Sequence, residues 1–214
     1  MLPVSAVRDL GIYIDADLTM STHVTTTVRA CFAALQWIRS VWHSLTRDAL
    51  LTLLRALVIT SVDYCCSVLT DVCGALLQRL QSMLNAAARL VFSVRRSKHT
   101  TPLLRELHWL KIPERIQFRL CVLMQCCLHG SAPPYLAEML HRTADVGSRR
   151  RLRSAATSTL VLPLTRRSTL GDCAFPVAAS CAWNSLPASV RDVQSLPAFR
   201  QKLKLTLFSD SFAS

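Results

Sequence analysis

Apolar positions recur at helical spacing through most of the chain. After Ser21, which can cap a helix, Val24, Val28, Phe32, Leu35, Ile38 and Trp42 follow at steps of three and four, predicting a helix to about Leu45. Thr46 caps a second, with Leu50, Leu53, Leu54, Leu57 and Val58 inward and an end or bend between Thr60 and Asp63. A third is predicted from Ala75 to Val94, its stripe formed by Leu77, Leu80, Met83 or Leu84, Ala87 and Val91. Pro102 and Pro113 each suit a first helical position. The helix opened by Pro113 carries Ile116, Leu120, Leu123, Met124 and Cys127, and Gly130 is its natural stop. Pro133 and Pro134 open a short helix to Leu140, and another runs from beyond Gly171-Asp172 toward Trp183. Ser195 caps a last helix with Phe199, Leu203 and Leu207 inward. Strand-like patterning is confined to Val7 to Ile14 and to the short run Leu160-Val161-Leu162. Ile12 and Ile14 share a face, and Gly11 suggests a bulge or a close backbone approach.

Composition agrees with a packed, mainly α fold. Of 214 residues, 51% are hydrophobic and 18% charged, which argues against disorder, and five glycines are too few for a turn-rich β architecture. The net charge of +12 points to a polyanionic partner or an acidic membrane surface, with an inert basic surface as the plain alternative. The longest uncharged runs, Leu120 to Ala137 and Cys173 to Val190, are interrupted by prolines and polar residues, so no membrane span is expected. No charged and apolar leader opens the chain, so secretion is not expected either. The nine cysteines include no C-x-x-C, and the adjacent pairs Cys65-Cys66 and Cys126-Cys127 would point about 100° apart on a helix. Buried thiols in a reducing, intracellular compartment are expected, without a bound metal.

Candidate chemistry is sparse. Asp15 and Asp17 are the one close acidic pair, at a predicted turn, and read as a solvated turn rather than as metal-holding carboxylates. No Tyr/Phe-Ala-Asp-Asp, G-x-S-x-G, H-E-x-x-H or glycine-rich phosphate loop occurs. The electrostatic signal lies in the cations. Arg149, Arg150, Arg151, Arg153, Arg166 and Arg167 fall in an acid-free stretch, Val146 to Leu170, that reads as a linker or β-ribbon. Arg95, Arg96 and Lys98 form a second group, and Arg89 lies on the preceding helix. Such groups can neutralise phosphates; a solvated face or a localisation signal is the other reading. Trp37, Trp42 and Trp183 are expected in the core, and Trp109 in a structural role, rather than stacked on bases.

Several blocks, in order, carry a family likeness: Val7-Arg8-Asp9-Leu10-Gly11-Ile12, Asp63-Tyr64-Cys65, Leu80-Gln81, Asn85-Ala86-Ala87-Ala88-Arg89-Leu90, Leu107-His108-Trp109-Leu110 with Arg115-Ile116, Pro134-Tyr135-Leu136, Gly171-Asp172 and Trp183-Asn184-Ser185-Leu186-Pro187. Together they resemble the C-terminal region of reverse transcriptases from LINE-type, non-LTR (jockey-like) retrotransposons. Departures occur at Val62, Lys111, Cys173 and Ser180, where that family usually has other residues.

The resemblance implies a primer-grip-like β-hairpin over 1–20, with Leu10 and Gly11 at the primer end. A helical thumb-like domain over 21–145, the Arg-rich linker or ribbon over 146–170, and C-terminal helices over 171–214 follow, forming a small α+β appendage. It implies a non-catalytic, N-terminally truncated piece of an RNA-directed DNA polymerase. Its Mg2+ and catalytic aspartates would belong to an absent palm, and its partners would be RNA and DNA template-primer and the missing palm and fingers. No membrane, small-molecule substrate or cofactor of its own is implied, and the nucleus or cytoplasm is the expected location. A degenerate remnant without activity, or part of a complete enzyme in an incomplete gene, are the alternatives.

Overall fold

The computed structural model of the chain describes residues 5–64, 66–70, 72–145, 158–164 and 174–212. It is mainly helical, with a two-stranded antiparallel hairpin near its start. Among the described residues no helix is long and apolar enough to cross a membrane. The chain divides into two compact units, 1–115 and 116–213, the division falling inside one helix, Ile112–Leu128.

In the first unit, β1 (Ala6–Asp9) pairs with β2 (Ile12–Asp15), placing Val7 opposite Ile14 and Arg8 opposite Tyr13. Leu10 and Gly11 are the whole turn, at φ 44° and 84°. Positive φ at both positions matches the twist of paired strands, which is why a glycine stands here. Gly11 is therefore a turn residue, not a strand bulge. The close approach is nonetheless present: a Cβ on Gly11 would meet the Tyr64 ring at 3.5 Å, and the Tyr64 hydroxyl donates to the Leu10 carbonyl.

Helix α1 (Ser21–Val41) starts where the pattern predicts, but Ser21 is its first residue and not its cap. Met20, in the left-handed region, precedes it without a side-chain cap. The capping oxygen comes from β2: Asp15 Oδ2 accepts from the Thr22 amide at 3.3 Å and from the Thr19 hydroxyl at 2.9 Å. The buried stripe runs Val24, Val28, Cys31, Leu35, Ile38. Phe32, expected inward, is 39% exposed, because successive steps of four drift about 40° each and only alternation with steps of three holds one face. Trp42 is half-buried, and Trp37, expected in the core, is 79% exposed.

Thr46 caps α2 (Arg47–Leu54) by accepting from the Ala49 amide at 3.3 Å, as predicted. A π turn over Arg55–Ile59 joins it to α3 (Thr60–Asp63). Leu50, Leu54, Val58 and Val62 are all buried, a run of fours that an ideal α-helix would carry around its axis. The wider turn unwinds that drift and leaves Leu57 exposed. The thiol of Cys31 donates to the Val58 carbonyl within it at 3.9 Å. Helix α4 (Gly74–Val91) packs on α1 and buries Leu76, Leu80, Met83, Leu84, Ala87, Ala88 and Val91; Leu77 is only half-buried. Helix α5 (Thr101–Glu106) follows with Pro102 in its first turn.

The second unit holds most of α6 (Ile112–Leu128), with α7 (Pro134–Ala137), α8 (Phe175–Asn184), α9 (Ala188–Arg191) and α10 (Leu196–Phe212). Phe199, Leu203 and Leu207 are buried as predicted, and Trp183 stacks on Phe199 at 5.6 Å. Among the described residues the β contribution here is a single bridge between Arg142 and Leu160. Asn184 holds that extended segment like a neighbouring strand: its Oδ1 accepts from the Leu160 amide and its Nδ2 donates to the Leu160 carbonyl, both at 2.9 Å. Trp183 Nε1 donates to the Ser158 carbonyl at 2.8 Å.

Three helices end in the same way. At the ends of α4, α5 and α6 a left-handed residue (Ser93, His108, Gly130) lets its own amide and the next turn back onto carbonyls of the last turn. At α5, His108 N–H reaches the Arg105 carbonyl at 3.1 Å and Trp109 N–H the Leu104 carbonyl at 2.9 Å, with Trp109 and Leu104 both buried. The block Leu107-His108-Trp109-Leu110 is thus a helix stop with its apolar clasp. Only Gly130 adopts this backbone without strain. Ser93→Gly should therefore raise the unfolding free energy by about 0.5–1 kcal/mol, and Gly130→Ala, whose Cβ meets open space, should lower it by about 1 kcal/mol through backbone strain alone; urea unfolding of the two variants checks both.

Candidate nucleic-acid interface

From Leu18 to Arg47 there is no acid and three arginines; from Val72 to Arg105 there is no acid and six cations. These stretches are α1, α4 and the segment that follows α4. Because α1 packs on α4, the fold brings two acid-free helices together. Arg79 of α4 reaches across to the Thr25 hydroxyl of α1 at 3.0 Å, while Arg29 and Arg39 of α1 are exposed.

The predicted basic group lies just beyond α4. Lys98 N–H closes a turn onto the Arg95 carbonyl at 3.1 Å, and Arg95, Arg96 and Lys98 are all exposed on it. Arg89, also a predicted contact, is half-buried and donates from Nη2 to the Lys98 carbonyl at 3.3 Å. This bond ties α4 to the turn. Arg47, which the pattern did not single out, sits over the Phe92 ring at 5.2 Å and pairs with Glu106 at 3.3 Å. Arg89 thus holds the turn, and Arg47 lies over Phe92 just before it, while three cations face water. The exposed Arg47–Glu106 pair itself contributes little stability.

Leu10 and Gly11 form a separate place at the hairpin tip, with Leu10 82% exposed and its carbonyl bound by Tyr64. Arg149, Arg150, Arg151, Arg153, Arg166 and Arg167 lie outside the described residues. Of the missed residues, Arg29, Arg39 and Arg79 had a sequence signal in the absence of any acid around them. Arg47 had none, since its placement depends on Phe92, distant in sequence.

Asp15 is not a solvated turn residue. It is buried, and although burial raises its carboxyl pKa, hydrogen bonds from Thr22, Thr19 and Ser21 together outweigh that and hold it below 3.8. Such bonding commits it to the start of α1, whereas Asp17 is exposed. Among the described residues no group of three His, Cys, Asp or Glu side chains is arranged to hold a metal ion. The thiols of Cys31 and Cys121 are pushed up by burial to about 11 and about 12, which keeps both protonated and poor nucleophiles at neutral pH.

Compared with protein-family models, with curated proteins and with solved structures, the chain has no match in any of the three. The family likeness therefore rests on the residues quoted above.

Titration behaviour follows from the joint between β2 and α1. His23 is buried beneath it, and burial lowers its pKa below 6.5, with Asp15 opposing. The unfolded chain then binds the His23 proton more readily than the folded one, so stability is full above pH 6.5 and falls as pH drops below it. Asp15, whose folded pKa is also depressed, adds a second loss as pH falls below 3.8. Urea midpoints should fall from pH 7 to pH 5 in the natural chain, and His23→Gln should flatten that slope; an unchanged slope would exclude His23 as its source.

Proposed function

We propose that this chain is a nucleic-acid-contacting, non-catalytic C-terminal part of a retrotransposon RNA-directed DNA polymerase. On this reading it grips the backbone of an RNA/DNA template-primer inside the cell, in the nucleus or cytoplasm. The observation that carries it is the turn of Arg95, Arg96 and Lys98, held by Arg89 at the end of α4, an acid-free helix that packs on the acid-free α1. Exposed cations held on a fixed turn match a line of phosphates, and no neighbouring acid on those elements offsets them. The family resemblance supplies the identity of the polyanion. The Mg2+ and carboxylates of polymerase chemistry would reside in another part of the parent polypeptide.

Fluorescence anisotropy with RNA/DNA duplexes at graded salt tests the reading. About four phosphate contacts give a log–log salt slope near −3 to −4, at ~0.9 per contact for duplex DNA. Replacing Arg95, Arg96 and Lys98 together by Ala should bring the slope about 2–3 units closer to zero at equal temperature and pH. Binding that ignores salt, or nucleotide incorporation by the chain alone, would overturn the reading.

One observation favours a second role, as a remnant that is stable only against another polypeptide segment. Val7, Leu10 and Leu18 of the hairpin region are 57%, 82% and 55% exposed. On that reading the purified chain self-associates, and Leu10→Asn, which also suits the left-handed turn, reduces the association in sedimentation runs.

A further inference from the structure

We propose that Trp37 is a stacking platform for an unpaired base, so that the α1 face takes single-stranded nucleic acid. This rests on the proposed function and adds a second mode of contact. Arg29, Ala33, Trp37 and Val41 follow at steps of four and form one exposed ridge along α1. Trp37 is 79% exposed, an unusual state for the largest apolar side chain, while Trp109 and Trp183 are 5% and 1% exposed. Ala33, one turn before it on the ridge, is short and exposed, so it adds no long side chain beside the indole.

Charge and size select the occupant. The helix has two arginines and no carboxylate, so the ridge sits in a positive field that attracts phosphates. A tryptophan presents at most about 250 Å², far below the ~800 Å² per partner of a stable protein interface, and alanines and one valine add little. A single base face matches that area. Paired bases are stacked on one another and hide their faces, so the ring can only receive a base from an unpaired stretch. Arg29, two helical turns along the ridge, is positioned to meet a phosphate of the same strand.

The test uses the whole 214-residue chain, a labelled 12-nucleotide oligouridine and an RNA/DNA duplex of equal length. Trp37→Ala should weaken oligouridine binding about tenfold to hundredfold while duplex affinity stays within about twofold. Trp37→Phe should retain most of the affinity and lose the quenching of tryptophan emission that oligouridine produces in the natural chain. Oligouridine affinity unchanged in Trp37→Ala, or an equal loss on both ligands, overturns the stacking role and leaves salt-dependent backbone binding intact. Absence of binding to either ligand in the natural chain removes the underlying nucleic-acid reading as well. A change in sedimentation with no change in oligouridine affinity assigns Trp37 to a protein contact and also overturns the proposal. Thermal midpoints serve as the folding control, since an exposed side chain leaves them unmoved.

Discussion

Every helix end leaves backbone groups without partners, and in a chain built of helices joined by short turns that is the constraint on which the rest depends. Two amino ends are completed from elsewhere in the fold. Asp15 caps α1 from a strand, and Gln81 Oε1 accepts from the Ile112 amide at 2.9 Å, so α4 sets where α6 begins. Gln81 Nε2 is fixed in turn by Asn85 Oδ1 at 2.9 Å. Arg115 then secures the same region, donating to the Leu110 carbonyl at 2.9 Å and to Asp63 at 2.8 Å. This last pair is largely shielded from water, so its charge-assisted bonds count for more than those of an exposed pair. The carboxyl ends of α4, α5 and α6 are closed by the three left-handed stops. Tertiary structure and helix termination are thus one problem in this molecule, solved by a few polar side chains.

That solution also shapes the electrostatics. In the first unit Asp15 serves the start of α1, Asp63 binds Arg115 and Glu106 binds Arg47. Those carboxylates are engaged on elements other than α1 and α4, whose outward cations keep their field. Three of this unit's acids thus have structural duties away from the two acid-free helices.

The apolar pattern made the helices legible. Val24, Val28, Leu35 and Ile38, then Phe199, Leu203 and Leu207, lie buried where periodicity puts them, and Thr46 and Pro102 occupy the helix starts they signal. What the pattern could not supply were contacts between distant segments. Asp15 reads as solvated in the sequence because Thr19 and Thr22 come within reach to donate to it only once the chain turns at Leu18 and Met20, both left-handed. Trp37 is a core residue by type, but its position on α1 faces away from the buried stripe. At the interface, Arg95, Arg96 and Lys98 were legible as a charge run, whereas the contacts of Arg89 and Arg47 depend on the path of the chain. Asp63, Tyr64, Gln81, Trp109, Arg115 and Asn184 each tie separate elements or close a helix end, a duty that no local pattern announces.

The π turn at Arg55–Ile59 makes chain length at that point a determinant of geometry. It is an α-helix with one residue too many, and the surplus keeps Leu50, Leu54, Val58 and Val62 in line. A chain shortened by one residue there would wind as an unbroken helix. Everything after it would rotate by about 100°, swinging the Asp63 carboxylate away from Arg115 and the Tyr64 hydroxyl away from the hairpin. Insertions and deletions are commonly absorbed by loops; in this helix, one residue sets the aim of two distant side chains.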